Sequence, residues 1–225
     1  MSRMGQAAIA ALERGMPALR ILVTAFGSFP GAPVNPTMAL ARLVMRRHAR
    51  RLARLGLEIQ TAVLPVEYEG AEARAAGLIE KIEPQVVLHL GLAARRKRLS
   101  FETRARNRLN ILHPDVARRT SARLAIENAG PLSLASRAPT ARCVAAIRFS
   151  GATCAPSIDA GDYLCNQTLY ASLRTRAPLV AFLHVPRPRR TTRRGVTLQQ
   201  MADGACAAII EMAKDARRLV GQRTA

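Results

Sequence analysis

The order of apolar runs and helix signals constrains this chain most. Arg20–Phe26 (RILVTAF) is short, apolar and β-rich, and it breaks into a loop carrying Gly27, Pro30, Gly31 and Pro33. Asn35-Pro36 then opens a helix: Asn is a preferred N-cap, and Pro at the first helical position gives up a donor that would be orphaned anyway. Met38, Leu43, Val44, Leu52 and Leu55 keep broadly helical spacing, with arginines between them, until Gly56. Leu57–Val66 reads as a second strand, Glu67–Glu83 as a second helix ended by Pro84, and Gln85–Leu92 as a third strand apolar enough to be buried on both faces. This β-α-β-α-β order predicts an α/β fold with a mostly parallel sheet covered by helices on both sides.

The stretch from Arg95 to about Ser150 is less regular and reads as hairpin-like or edge structure beyond the central sheet. The β/α rhythm returns with a helix beginning near Leu164, a strand at Pro178–His184 (PLVAFLH) and a final helix from about Thr197 to Val220. No internal repeat or low-complexity linker interrupts it, so residues 20–225 read as one domain. Residues 1–19 read as an amphipathic extension, with Met4 and Met16 as alternative starts. Glu13 cuts short the apolar stretch before it can serve as a signal peptide, and the expected location is cytoplasmic.

Hydrophobic residues make up 49% of the 225 and charged residues 22%, an ordinary globular balance. The longest apolar runs are strand-length, which argues against a membrane span. The formal charge of +20 raises nucleic acid as a partner. Against that, the charge is spread along the whole chain, and aromatics, at 4%, leave few stacking platforms. A solvated basic surface is the preferred reading. The four cysteines, Cys143, Cys154, Cys165 and Cys206, include no Cys-x-x-Cys pair or zinc-like spacing, and in a chain of this kind they are expected to be reduced.

In an open α/β sheet the chemistry belongs at the carboxyl ends of the strands. Cys165 follows a flexible turn, Ala160–Leu164, and opens a predicted helix, where free backbone N–H groups favour a thiolate and can donate to an oxyanion. Most free cysteines are small buried hydrophobes, so position alone leaves both readings open. His184 ends a strand at the same rim and can serve as the base that a thiol nucleophile needs. His48 lies on an arginine-rich helical face, His113 in a presumed loop, and His89 inside the third strand as a core residue. Glu102 stands in a basic stretch, and it can orient His184 or simply balance Arg104 or Arg106.

Four segments together resemble pyroglutamyl peptidase I, the pyrrolidone-carboxylate peptidase family of cysteine peptidases. Ala25–Gly31 with Asn35-Pro36-Thr37 is similar to the family's "GFEPFGG…NPS" loop, and Glu102–Asn107 to "ERVAIN". Ala160–Asn166 is similar to "AGTYVCN", and Phe182–Pro186 to "FIHVP". They come in the family's order over about residues 20 to 215. The resemblance implies a three-layer α/β/α sandwich with a mostly parallel or mixed sheet, and removal of N-terminal pyroglutamate from peptides without metal or cofactor. It implies Cys165 as nucleophile, His184 as base and Glu102 as the acid of the triad, with Phe26 and Phe29 flanking the lactam ring and Leu92, Tyr163 and Leu164 lining the substrate site. It also implies dimers or tetramers, against which a +20 surface works.

Three departures bear on specificity. Leu92 stands where the family usually has Gln, and Leu112 where it tends to have Arg. The loop Arg187–Arg194 is strongly basic, which should favour acidic peptides and lower the Cys165 pKa. The competing reading, from a different class, is a catalytically silent member used as a basic binding module.

Overall fold

The computed structural model describes residues 18–29, 32–189 and 195–224. The expected extension over residues 1–19 and residues 190–194 of the basic loop therefore lie wholly or largely outside the described residues. In chain order the elements are β1 (Leu19–Phe26), α1 (Pro36–Arg54), β2 (Leu57–Leu64), α2 (Tyr68–Ile82), β3 (Val86–Leu92), β4 (Leu99–Glu102), β5 (Arg104–Arg106) and β6 (Ser133–Ala135). They continue with α3 (Thr140–Phe149), β7 (Cys154–Ser157), α4 (Leu164–Leu173), β8 (Leu179–Val185) and α5 (Leu198–Thr224). The Asn35 side chain accepts from the Thr37 N–H at 3.1 Å and Pro36 fills the first turn, so α1 starts where its capping residues place it.

The main sheet has the strand order β2-β1-β3-β8-β4-β7. β2, β1, β3 and β8 run parallel, β4 is antiparallel to β8, and β7 is parallel to β4, giving a mixed sheet. Side-chain alternation divides the core. Ile21, Val23, Val86, Leu88, Leu90, Ala181 and Leu183 pack with residues of α1, α3 and α5 on one face, whereas Leu22, Val87, Val180 and Phe182 pack with residues of α2 and α4 on the other. The result is an α/β/α sandwich. No helix among the described residues is long and apolar enough to cross a membrane.

The middle of the chain departs from expectation in two ways. β5 and β6 do form a small separate antiparallel ribbon. β4, however, lies inside the central sheet rather than beyond it, bonded to β8 on one side and β7 on the other. It spans only four residues, LSFE, too short for its apolar/polar alternation to mark a strand, and its polar members Ser100 and Glu102 are buried along with Leu99 and Phe101. The helix α3 also went unforeseen. It has no side-chain N-cap, and it buries only Cys143, Val144 and Ile147.

Candidate active site

The site sits where β3 and β8 end beside the start of α4. Gly91 pairs with His184 in the parallel register of these strands. A Cβ built on Gly91 would lie 2.5 Å from the Phe182 ring and 3.0 Å from Cys165 Sγ, so this position holds glycine because the thiol and the ring already fill the space. Cys165 is the second residue of α4. The chain enters that helix through Gly161 at φ 84° and an extended Tyr163 whose side chain makes no capping hydrogen bond. The first-turn N–H groups are thus left without a side-chain cap. Asn166, fully buried, fastens this end of the helix. Its Nδ2 donates to Arg106 O at 2.8 Å and Arg108 O at 3.0 Å, and its Oδ1 accepts from the Arg106 N–H at 2.8 Å.

His184 and Glu102 meet across the antiparallel β8/β4 pair. Ser100 lies opposite His184, and Glu102, two residues further along β4, projects to the same face. His184 Nδ1 and Glu102 Oε1 are 2.7 Å apart and both side chains are buried. With Nδ1 donating to the carboxylate, Nε2 is left as the acceptor. The Phe182 ring, 4.7 Å from the imidazole by centroids, packs beside it. Glu102 does not pair with Arg104 or Arg106 as one reading of the sequence allowed. Its cationic partner is Arg96, at 2.6 Å, while Arg106 reaches Asp159 at 3.8 Å.

The expected lowering of the thiol pKa finds no support among the described residues, and residues 190–194 of the loop invoked for it lie outside them. Burial pushes Cys165 up to about 12, the nearby Glu102 charge adds to this, and Arg96 offsets only part of it. His184 moves below the usual histidine range, chiefly through burial, although Glu102 opposes that shift. These shifts favour a neutral thiol on Cys165 and a neutral imidazole on His184.

The other candidates divide by environment. Phe26 is buried with its ring 6.2 Å from Phe182, and Phe29 is partly buried against the same apolar cluster. Tyr163 donates its hydroxyl to Pro114 O at 3.1 Å and stands edge-on to Tyr68 at 5.4 Å. Leu92 ends β3 partly exposed, and Leu112 is exposed on the loop that follows Asn110. The Leu164 side chain is 1% exposed and packs in the core, so only its backbone can face a ligand. His89 is the satisfied core residue expected of it, bonded to Thr24 Oγ1 at 2.7 Å and Ser172 Oγ at 3.0 Å, and burial lowers its pKa to about 3. His48 pairs with Asp203 at 2.8 Å.

Sequence reasoning missed Arg96 and the role of Gly91. Arg96 stands in a run of four cations, Arg95–Arg98, and nothing in that run marks which member turns inward.

Comparison with known proteins agrees with this geometry. A family model described as pyroglutamyl peptidase matches residues 19–209. A pyrrolidone-carboxylate peptidase of Pseudomonas fluorescens is 30% identical over 212 residues, covering 90% of this chain and 98% of that protein. The crystal structure of pyrrolidone carboxyl peptidase from Thermus thermophilus superposes with a TM-score of 0.75 at 36% identity, over 85% of this chain and 99% of that one. The Thermococcus litoralis pyrrolidone carboxyl peptidase shares the fold, with a TM-score of 0.77 at 23% identity over 89% of this chain and 96% of its own. Since the matched span runs from β1 well into α5 and takes in Glu102, Cys165 and His184, the chain belongs to the pyroglutamyl peptidase family of cysteine peptidases.

Proposed function

We propose that this protein removes N-terminal pyroglutamate from peptides through a thioester intermediate, with Cys165 as nucleophile, His184 as general base and acid, and Glu102 orienting the imidazole. Residues 20–225 act as the catalytic unit. The observation that carries the reading is the buried 2.7 Å His184–Glu102 pair at the strand ends where Cys165 opens α4, in a chain of this family.

His184 Nε2 takes the thiol proton as Cys165 Sγ adds to the pyroglutamyl carbonyl carbon. The oxyanion is held by first-turn N–H groups of α4, among them that of Cys165. As the intermediate collapses, the C–N bond breaks and His184 returns the proton to the departing amine. A water, deprotonated by the same imidazole, then hydrolyses the thioester and regenerates the thiol. Because the resting pair is neutral, proton transfer accompanies attack instead of preceding it. Phe26 and Phe29 flank the lactam ring, and Tyr163 borders the entrance. Leu92 offers no side-chain hydrogen bond to the ring amide, so discrimination against unmodified or larger acyl groups rests on shape and backbone contacts.

The four cysteines are unpaired, which suits a cytoplasmic location. The family relationship favours the peptidase over the silent basic binding module. Release of a fluorogenic amine from its pyroglutamyl conjugate, abolished by Cys165→Ala, is the expected result. A folded wild-type protein that releases no amine would refute the assignment.

A further inference from the structure

Glu102 is shared between two partners. Its Oε1 accepts from His184 Nδ1 at 2.7 Å and from Arg96 Nη1 at 2.6 Å. The guanidinium is itself anchored: Nη2 donates to the Asp159 carbonyl at 2.6 Å, and the Arg96 backbone N–H bonds to Ala93 O at 2.9 Å. Arg96 thus bridges the turn between β3 and β4 to the segment between β7 and α4, with the fully buried carboxylate of Glu102 in between. We propose that Arg96 is a positioning residue of the reaction, holding the oxygen that orients His184 and keeping the imidazole unprotonated between turnovers. The proposal rests on the peptidase reading given above.

A carboxylate enclosed with only a histidine draws a proton onto that histidine, because the neutral sum of imidazolium and carboxylate is the best-tolerated buried state. A protonated base cannot accept the thiol proton. An arginine keeps its charge throughout the working range, so here it balances Glu102 without any proton on His184. Among the described residues no other nearby group can stand in. Asp159, beside Arg106, has the same sign as Glu102, and Ser157, opposite Glu102 on β7, is neutral. Cys165 from α4 is held as a thiol by burial, and Tyr163 at the mouth is likewise raised. His89, two positions before Gly91 on β3, is buried and uncharged. Burial is the largest influence lowering the His184 pKa; Glu102 and, more weakly, Asp159 raise it, and Arg96 adds to burial by lowering it.

The test uses the full chain with Arg96→Gln and Arg96→Lys. Two signals are read against pH: kcat/KM for a pyroglutamyl fluorogenic amide, and the 15N and 1H shifts of the His184 ring. In Arg96→Gln both midpoints are expected to move to higher pH, with activity lost near the acid limb and recovered as pH rises. Arg96→Lys keeps the charge and loses one anchor, so its midpoints should stay in place while kcat falls. A pH-independent loss in Arg96→Gln, with the ring titration unmoved, would make Arg96 a packing residue and overturn the proposal. If Arg96→Gln fails to fold, Arg96→Ala takes its place in the same two titrations: midpoints displaced upward support the proposal, and unmoved midpoints overturn it. The ring titration needs no turnover. A wild-type chain that titrates as expected but releases no amine therefore counts against the peptidase reading alone.

Discussion

Gly91 approaches Cys165 so closely that the thiol takes the place a side chain would fill, with 3.0 Å between the sulfur and an added Cβ. The Phe182 ring, at 2.5 Å, closes the same space and leaves the added carbon nowhere to go. Gly91→Ala is therefore expected to displace the sulfur or the ring, lowering kcat at least about tenfold and stability by about 1–3 kcal/mol, as overpacking does. Gly77→Ala is the matched control. It lies on exposed α2 surface with nothing within 4 Å of its added Cβ, and it should stabilise by about 0.5–1 kcal/mol with activity unchanged. Thermal unfolding and steady-state kinetics on both variants check the pair.

With Cys165 at about 12 and His184 below its ordinary value, free enzyme at pH 7 should show no thiolate absorbance in a difference spectrum against Cys165→Ala. Iodoacetamide should alkylate Cys165 slowly at pH 7 and faster toward high pH. The acid limb of kcat/KM should fall below the usual histidine midpoint of about 6.5, since His184 must be neutral to act as the proposed base. A thiolate signal already present at pH 7 would show a preformed ion pair instead.

His89 ties acid stability to the core. Its pKa is about 3 in the fold against 6.5 in the unfolded chain, so below pH 6.5 the unfolded state binds the extra proton. Stability should be fully present above pH 6.5 and fall steadily toward pH 3, and lowered His184 acts in the same direction. His89→Gln should start less stable by about 1–3 kcal/mol, having lost hydrogen bonds to Thr24 and Ser172. It should also show a shallower slope across this window, and urea unfolding at several pH values measures both effects.

Arg95, Lys97 and Arg98 are exposed on the turn after β3, and Arg187 and Arg189 are exposed beyond β8, both next to the site. Peptides with Asp or Glu after the pyroglutamyl residue should therefore have higher kcat/KM than those with Lys. That advantage should shrink between about 0.05 and 0.5 M salt as screening shortens the reach of these charges. Equal rates across the series, or a preference insensitive to salt, would leave the basic rim without a role in selectivity.

Much of this architecture is legible in the sequence because β1, β3 and β8 are apolar runs of strand length, and Asn35-Pro36, Gly56 and Pro84 punctuate the helices between them. Cys165 and His184 are legible for the same reason, since a helix start and a strand end place them on one rim. Glu102 is harder. Its strand is four residues long, too short for the alternation of LSFE to stand out, and is defined by pairing with β7 and β8, so the sequence leaves open which cation it meets. Arg96 wins because the short turn after β3 folds it back onto the carboxylate, while Arg104 and Arg106 belong to the separate β5/β6 ribbon. The direction of the Cys165 shift is not legible in the sequence, because a helix start suggests charge stabilisation, whereas the desolvation that opposes it, at a partly buried thiol beside Glu102, belongs to the assembled structure.

The place of β8 carries one more consequence. It is the last in chain order of the described strands, yet it lies in the middle of the sheet and joins two halves that otherwise share no edge. His184 travels on it, 82 residues along the chain from its carboxylate. With the roles proposed for Cys165 and His184, a nascent chain that has exposed the first but not yet inserted β8 has a thiol without its proposed base. On that proposal, catalytic competence arrives together with insertion of β8 between β3 and β4, and a chain that lacks this step is inert.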